Sequence, residues 1–205
     1  VPACQSRAVI FFPTDELIPS GETSSYRSNP LKLAEFALSR KDPAYVGRAK
    51  EVKAAEEARR AEGSLPEEVL KEVGPLQIKE GTIYGSCVVA VKPGDGSARE
   101  QAASCQRVLG GIANIAKEYA TKRYRSNLIN WGMLPFVADK LNFKVGDYFY
   151  VENIDELIRN GAEEIPAKHL SGKSVKDITL RVGGLTDDEK NIILKGCLIN
   201  FNAAK

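Results

Sequence analysis

The chain predicts an α/β fold with a mixed sheet and a helical insertion, and three observations carry that expectation. Short apolar, β-rich runs at Ser6 to Phe12 (SRAVIFF), Thr82 to Val91 (TIYGSCVVAV) and Ile112 to Ala116 alternate with capped helical segments. Between residues 31 and 76 the cap signals recur with no strand between them, which marks a helical insertion. A length of 205 residues with 43% hydrophobic and 27% charged content fits one soluble domain, residues 1 to 205, with the insertion at about 31 to 76.

Ser6 to Phe12 is bounded by Pro13 and reads as a buried strand. It delivers Thr14 to Gly21, where Asp15, Glu16, Pro19 and Gly21 supply turn chemistry and set a carboxylate at the strand end. Asn29 then caps a helix with Pro30 at its first position, and Leu31, Leu33, Ala34, Ala37 and Leu38 give it an apolar side. Asp42-Pro43 repeats that signal ahead of a charge-rich stretch that Gly63 closes. Lys50 to Glu62 mixes both signs at helical spacing, the pattern of a solvated face. Ser64 and Glu67 form a further capping box, and Gly74-Pro75 stops the helix they open.

The strand at Thr82 to Val91 runs into Gly94 to Gly111, GDGSAREQAASCQRVLGG, where function is expected to reside. Two glycines around Asp95 permit a tight turn with positive φ. Ser97 with Glu100 makes a Ser-x-x-Glu capping box, so a helix is predicted from near Ser97. The open N–H groups of that helix and Arg99 form a receptor for a carboxylate or phosphate, with a hydroxyl beside it. A nucleotide is not favoured, because Gly-Lys-Ser/Thr and a complete GxGxxG are both absent.

Further on, Lys117 to Arg125 (KEYATKRYR) sets basic residues beside two tyrosines, and is expected to be an exposed helix with the tyrosines packed at its edge. Extended segments from Phe143 to Val151 join through a Gly-Asp turn, and Asp155 to Asn160 forms a short helix ended by Gly161. The lone His169, among Lys168, Ser171 and Lys173, is expected in an exposed loop. Thr186 and Glu189 box the start of the last helix, which Gly196 ends.

A net charge of +2 gives no general attraction to polyanions, so nucleic acid is not an expected partner. No apolar run approaches the ~20 residues that cross a membrane. The cysteines at 4, 87, 105 and 197 form no Cys-x-x-Cys pair, so no metal or cluster is expected on this chain alone. The first residue is not Met and the only methionine is Met133. The chain reads as a cytoplasmic piece of a longer protein.

The stretch GDGSAREQAASCQRVLGG resembles the GxGSSREHAAxxxRxLGG signature of the C-terminal swivelling domain of the aconitase superfamily. Residues 14 to 29, TDELIPSGETSSYRSN, resemble its TTDHIxxAGxxxxxR segment, with Asp15 and Arg27 at the family spacing. Asn127 to Phe136 (NLINWGMLPF) looks like NLxxxGLLPL, and Asp177 to Phe201 resembles the closing strand and helix. The resemblance covers the chain apart from roughly 31 to 78, and implies a layered β/β/α swivelling domain.

It also implies a chemistry: removal and re-addition of water on a hydroxy di- or tricarboxylic acid. Ser97 takes the place of the family's base, its alkoxide stabilised by helix N–H dipoles and a fixed positive charge. Arg99 and Arg27 take the places of arginines that hold substrate carboxylates, and Asp15 that of an active-site Asp. Ala98 stands at a substrate-binding position where relatives carry a second Ser, and its loss of a hydrogen bond is worth ~1 kcal/mol. Other departures are Glu16 and Gln101, each where relatives carry a His. A [4Fe-4S] cluster is implied on other domains of the full-length protein, which become partners of this chain, with the isolated domain inactive. The alternative of another class is a carboxylate-binding or regulatory module without catalysis, contacting RNA through Lys117 to Arg125.

Overall fold

The computed structural model describes residues 2–4, 12–13, 17–19, 23–96 and 98–203. Its strands are β1 (Pro2–Cys4), β2 (Phe12–Pro13), β3 (Gly85–Ala90), β4 (Pro93–Asp95), β5 (Gly111–Ala116), β6 (Leu134–Val137), β7 (Tyr148–Tyr150), β8 (Glu164–Ser171) and β9 (Ser174–Arg181). Its helices are α1 (Pro30–Ala34), α2 (Tyr45–Glu62), α3 (Glu67–Val73), α4 (Arg99–Val108), α5 (Lys122–Asn130), α6 (Ile154–Arg159), α7 (Asp187–Lys195) and α8 (Leu198–Ala203).

Strands β1, β3, β5 and β6 pair in parallel, whereas β7, β8 and β9 pair antiparallel. Among the described residues each seam between the two groups is one residue pair wide, Ala3 opposite Tyr148 and Val137 opposite Arg181, and together they close a barrel. The closed sheet is thus two facing β layers. Alternate residues of β3 and β5 point inward, so Cys87, Val89, Ala113 and Ile115 meet Phe149, Ile165, Ala167 and Leu180 across the interior. Val88 and Ala90 point the other way and meet Leu33, Ala34, Tyr45, Ala49, Ala102, Ala103, Tyr124 and Leu128 of the helical layer. This is the β/β/α layering that the resemblance implied, in an α/β chain with a mixed sheet.

The segment expected to be an insertion is helical, as α1, α2, α3 and a 3-10 turn at Gly74–Leu76. It covers the parallel layer and then reaches around the barrel, where Val73 and Leu76 pack on Tyr150 and Leu170 of the antiparallel layer. Asn29 caps α1 by accepting from the Lys32 amide at 3.1 Å. Thr186 and Glu189 form both halves of their capping box, at 3.2 and 2.9 Å. Two other caps differ from expectation. Helix α2 starts at Tyr45, and Asp42 pairs with Arg48 instead. Helix α3 starts after Pro66 without a side-chain cap, so Ser64 opens no capping box.

Three further expectations are corrected. The face from Lys50 to Glu62 is not wholly solvated, because Glu56 is buried under the start of β3 and accepts from the Tyr84 amide at 3.0 Å and from Arg59 and Arg60. Burial disfavours its charge, yet the bonds from Arg59, Tyr84 and Arg60 outweigh that and hold its carboxyl down at about 2. His169 is no loop residue: it sits inside β8, 7% exposed, where the alternation Ile165, Ala167, His169 turns it into the barrel. There it bonds Asp147 at 2.8 Å and stacks on Phe149. Tyr124, expected at the edge of an exposed helix, is fully buried in α5. The strand expected from Ser6 to Phe12 lies outside the described residues as far as residue 11.

Candidate active site at the glycine turn

The glycine turn follows β3 at its C-terminal end. Gly94 has φ 98° and Gly96 φ 104°, conformations that L side chains rarely adopt, and Asp95 staples the turn by accepting from the Gly96 amide at 2.9 Å. From below, the turn is held by α5 and the loop before it. Ala120 donates its amide to the Pro93 carbonyl at 2.9 Å, and Thr121 donates its hydroxyl to the Gly94 carbonyl at 3.1 Å while capping α5. The Tyr124 ring lies against Gly94, and its hydroxyl accepts from Gln106 at 2.8 Å and Asn114 at 3.1 Å. Burial keeps that phenol protonated far above its ordinary range.

Helix α4 opens from the turn with Ala98 at its N-cap, one position later than the expected cap Ser97, and Ala98 supplies no side-chain cap. Glu100, expected to reach back toward the cap, instead accepts from the Trp131 indole at 2.7 Å. The Asn127 amide, oriented to satisfy both its ends, accepts from the Glu100 amide at 3.1 Å and donates to the Arg123 carbonyl at 3.3 Å. Asn127 and Trp131 thus fix the first turn of α4 from the side of α5. Neither was singled out from the sequence as a site residue, although both lie in the segment NLINWGMLPF.

The second motif reaches the same place through the backbone. Phe12–Pro13 pairs in parallel with Pro93–Asp95, Phe12 opposite Pro93 and Pro13 opposite Asp95. Leu17 and Ile18 insert into the helical core, and the Leu17 carbonyl accepts from the Leu38 amide at 2.9 Å. The segment then runs through a 3-10 turn at Ser24–Tyr26 into α1, which packs against α4. Tyr26 stacks on Phe36 with ring centroids 5.6 Å apart.

Ser97 and Asp15 lie outside the described residues. Arg27 is exposed directly after the 3-10 turn, while Ala98 and Arg99 are half-buried at the start of α4. No described carboxylate pairs with Arg27 or Arg99, whereas Arg48, Arg59, Arg60, Arg125 and Arg181 are all in ion pairs. Among the described residues, therefore, no carboxylate occupies the donors of Arg27 or Arg99.

Among the described residues no group of three His, Cys, Asp or Glu could hold a metal ion. Cys87 faces the interior between the β layers and Cys105 the helical layer, so those thiols cannot converge on one cluster. Burial pushes the Cys105 thiol up to about 12. The basic patch also has a structural use: Arg125 donates to the Val182 carbonyl at 3.1 Å and pairs with Glu189 at 3.4 Å. With Tyr124 inside the core, little of Lys117 to Arg125 is left to stack on bases. No described helix is long and apolar enough to cross a membrane.

Residues 50–141 match the family of the aconitase C-terminal domain. The chain is 34% identical over 127 residues to the "Methanogen homoaconitase small subunit" of Methanocaldococcus jannaschii, which covers 62% of this chain and 65% of that one. It is 33% identical over 112 residues to a "Putative aconitate hydratase, mitochondrial" of Emericella nidulans, 52% of this chain but 14% of that protein. The chain therefore spans a small part of the one relative and about two thirds of the other. In fold it resembles the crystal structure of 3-isopropylmalate dehydratase (leuD) from Methanocaldococcus jannaschii, with a TM-score of 0.62 at 23% identity over 99% of this chain and 92% of that one.

Proposed function

We propose that this chain, whose residues 50–141 match the aconitase C-terminal domain family, supplies the carboxylate-binding and base-supplying half of a hydro-lyase site. The reaction is dehydration and rehydration of a hydroxy di- or tricarboxylic acid. Carrying this is the parallel pairing of Phe12–Pro13 with Pro93–Asp95, from which the segments bearing Asp15 and Ser97 both depart.

In this proposal Ser97 takes the proton next to a substrate carboxylate, and the N–H groups and positive dipole end of α4 stabilise its alkoxide. Arg99 and Arg27 each grip a carboxylate through paired N–H donors, and Asp15 orients the site. Ala98 offers no hydroxyl to the substrate and leaves room beside it. Trp131, Asn127 and Glu100 hold the first turn of α4 still, so that its donors keep one geometry.

The group that receives the departing hydroxyl lies outside this chain. A [4Fe-4S] cluster on other domains of the same protein is part of the proposal, and the relative named a small subunit supports a separate chain as an equivalent carrier. The isolated domain is then inactive, and a swing of the whole domain closes the cleft and excludes water.

The test is turnover of citrate, isocitrate, homocitrate and isopropylmalate by the full-length protein after anaerobic iron–sulfur reconstitution. Activity on one of these acids that collapses in Ser97→Ala, with a raised KM in Arg99→Lys, is the expected result. Turnover unchanged in Ser97→Ala would overturn the base assignment. An intact cluster without turnover would point to a hydroxy acid other than these four, whereas neither cluster nor turnover would favour the binding module.

A further inference from the structure

At the opposite end of the parallel layer from the glycine turn lies a cavity of about 470 Å³. It is bounded by the start of β5 and β6, the end of α4, the inner face of α2 and the end of α7. Its walls are largely apolar, from Ile83, Ile112, Leu134, Ile193 and Leu194, and Arg107 projects its side chain among them.

We propose that this cavity binds a small aliphatic monocarboxylate, with Arg107 as the anchor for its charge.

Arg107 is half-buried, donates to the Gly111 carbonyl at 3.3 Å and pairs with no described carboxylate. Burial pushes the guanidinium below its ordinary range, Cys197 opposes that shift and Arg60 adds to it, and a bound anion relieves the cost. The other inner charge, Glu56, is already spent on Arg59, Arg60 and the Tyr84 amide. Lys53 stands 3.9 Å from Glu57, an exposed carboxylate on the rim. Asp155 is also exposed there, which leaves Arg107 as the one inner cation of the lining without a carboxylate partner among the described residues. The cavity is large for one inorganic anion and lies within the size range of small-molecule pockets, so its apolar walls call for a hydrocarbon tail. This site is independent of the acid-binding turn, which sits at the other end of α4.

The experiment is calorimetric titration of the 205-residue chain with octanoate and with octylammonium, together with methyl NMR of Ile112 and Ile193. Saturable octanoate binding that shifts both isoleucines is expected, with little or no binding of octylammonium. Arg107→Gln is expected to weaken octanoate by about tenfold or more, as for loss of a charged hydrogen bond, whereas Arg99→Ala leaves it unchanged. The proposal is overturned if the folded chain fails to bind octanoate, if the shifts fall elsewhere, or if Arg107→Gln binds equally well. Should Arg107→Gln not fold, equal binding of octanoate and octylammonium by the unmodified chain overturns it.

Discussion

Gly94 lies so close to the ring of Tyr124 that a Cβ on the glycine would stand 2.4 Å from ring carbons. Its φ of 98° adds backbone strain to any side chain placed there. Gly94→Ala is expected to lower stability by about 3 kcal/mol, through overpacking together with the disfavoured φ. Gly146 has φ 89° with nothing within 4 Å of the corresponding Cβ. Gly146→Ala is therefore expected to lose only about 1 kcal/mol. Urea unfolding of the two variants measures the contrast, and equal losses would mean that the Tyr124 ring moves aside.

Glu56 ties the insertion to the barrel, and its contribution depends on pH. Its carboxyl is held at about 2, below the ordinary 4.5. The folded state thus binds the proton more weakly than the unfolded chain. Stability from this group is present above pH 4.5 and is lost as pH falls toward 2. Glu56→Gln is expected to remove on the order of 3 kcal/mol near neutrality and to flatten the acid limb of the stability profile. Urea midpoints measured across that range test both statements.

Asn127 is expected to protect the Glu100 amide. Asn127→Leu removes the acceptor and should speed hydrogen exchange at Glu100 while lowering stability by about 1 kcal/mol. Asn127→Asp keeps an acceptor beside a helix N-terminus and should retain the protection. Amide exchange followed by NMR distinguishes the two, and fast exchange already present in the unmodified chain would refute the contact.

His169 and Asp147 are buried together, and the Asp147 carboxylate also accepts from the Lys144 amide at 2.8 Å. His169→Leu leaves that carboxylate short of a partner and should cost about 2 kcal/mol. Replacing both residues should be less costly than the two single losses added together. A double-mutant cycle by urea unfolding reads the coupling.

The sequence carried most of the layering because its buried strands are continuous apolar runs and its glycines punctuate them. TIYGSCVVAV could scarcely be anything but a strand buried on both faces. The strand at Glu164–Ser171 escaped notice because Lys168 and His169 break the apolar alternation, and only the buried Asp147 explains a histidine there. The capping box at Thr186 was readable since both halves are local, while Glu100 was drawn away by Trp131, a partner 31 positions along the chain. In the candidate site, Arg99 and the glycine turn were legible from one motif. The approach of the second motif was legible only through the family resemblance, because the pairing that creates it is a long-range backbone contact that no local pattern announces.

That pairing has a consequence for the order in which the molecule assembles. The whole helical segment α1 to α3 and strand β3 lie between Phe12 and Pro93, so the loop closed by this contact is among the costliest in the chain. Contacts of such range form after local ones. The end that carries the glycine turn is thereby expected to be a late product of folding, completed once the insertion has docked on both layers. A lesion far from the turn, in α2 or α3, can then leave a compact chain whose two site segments have not yet met.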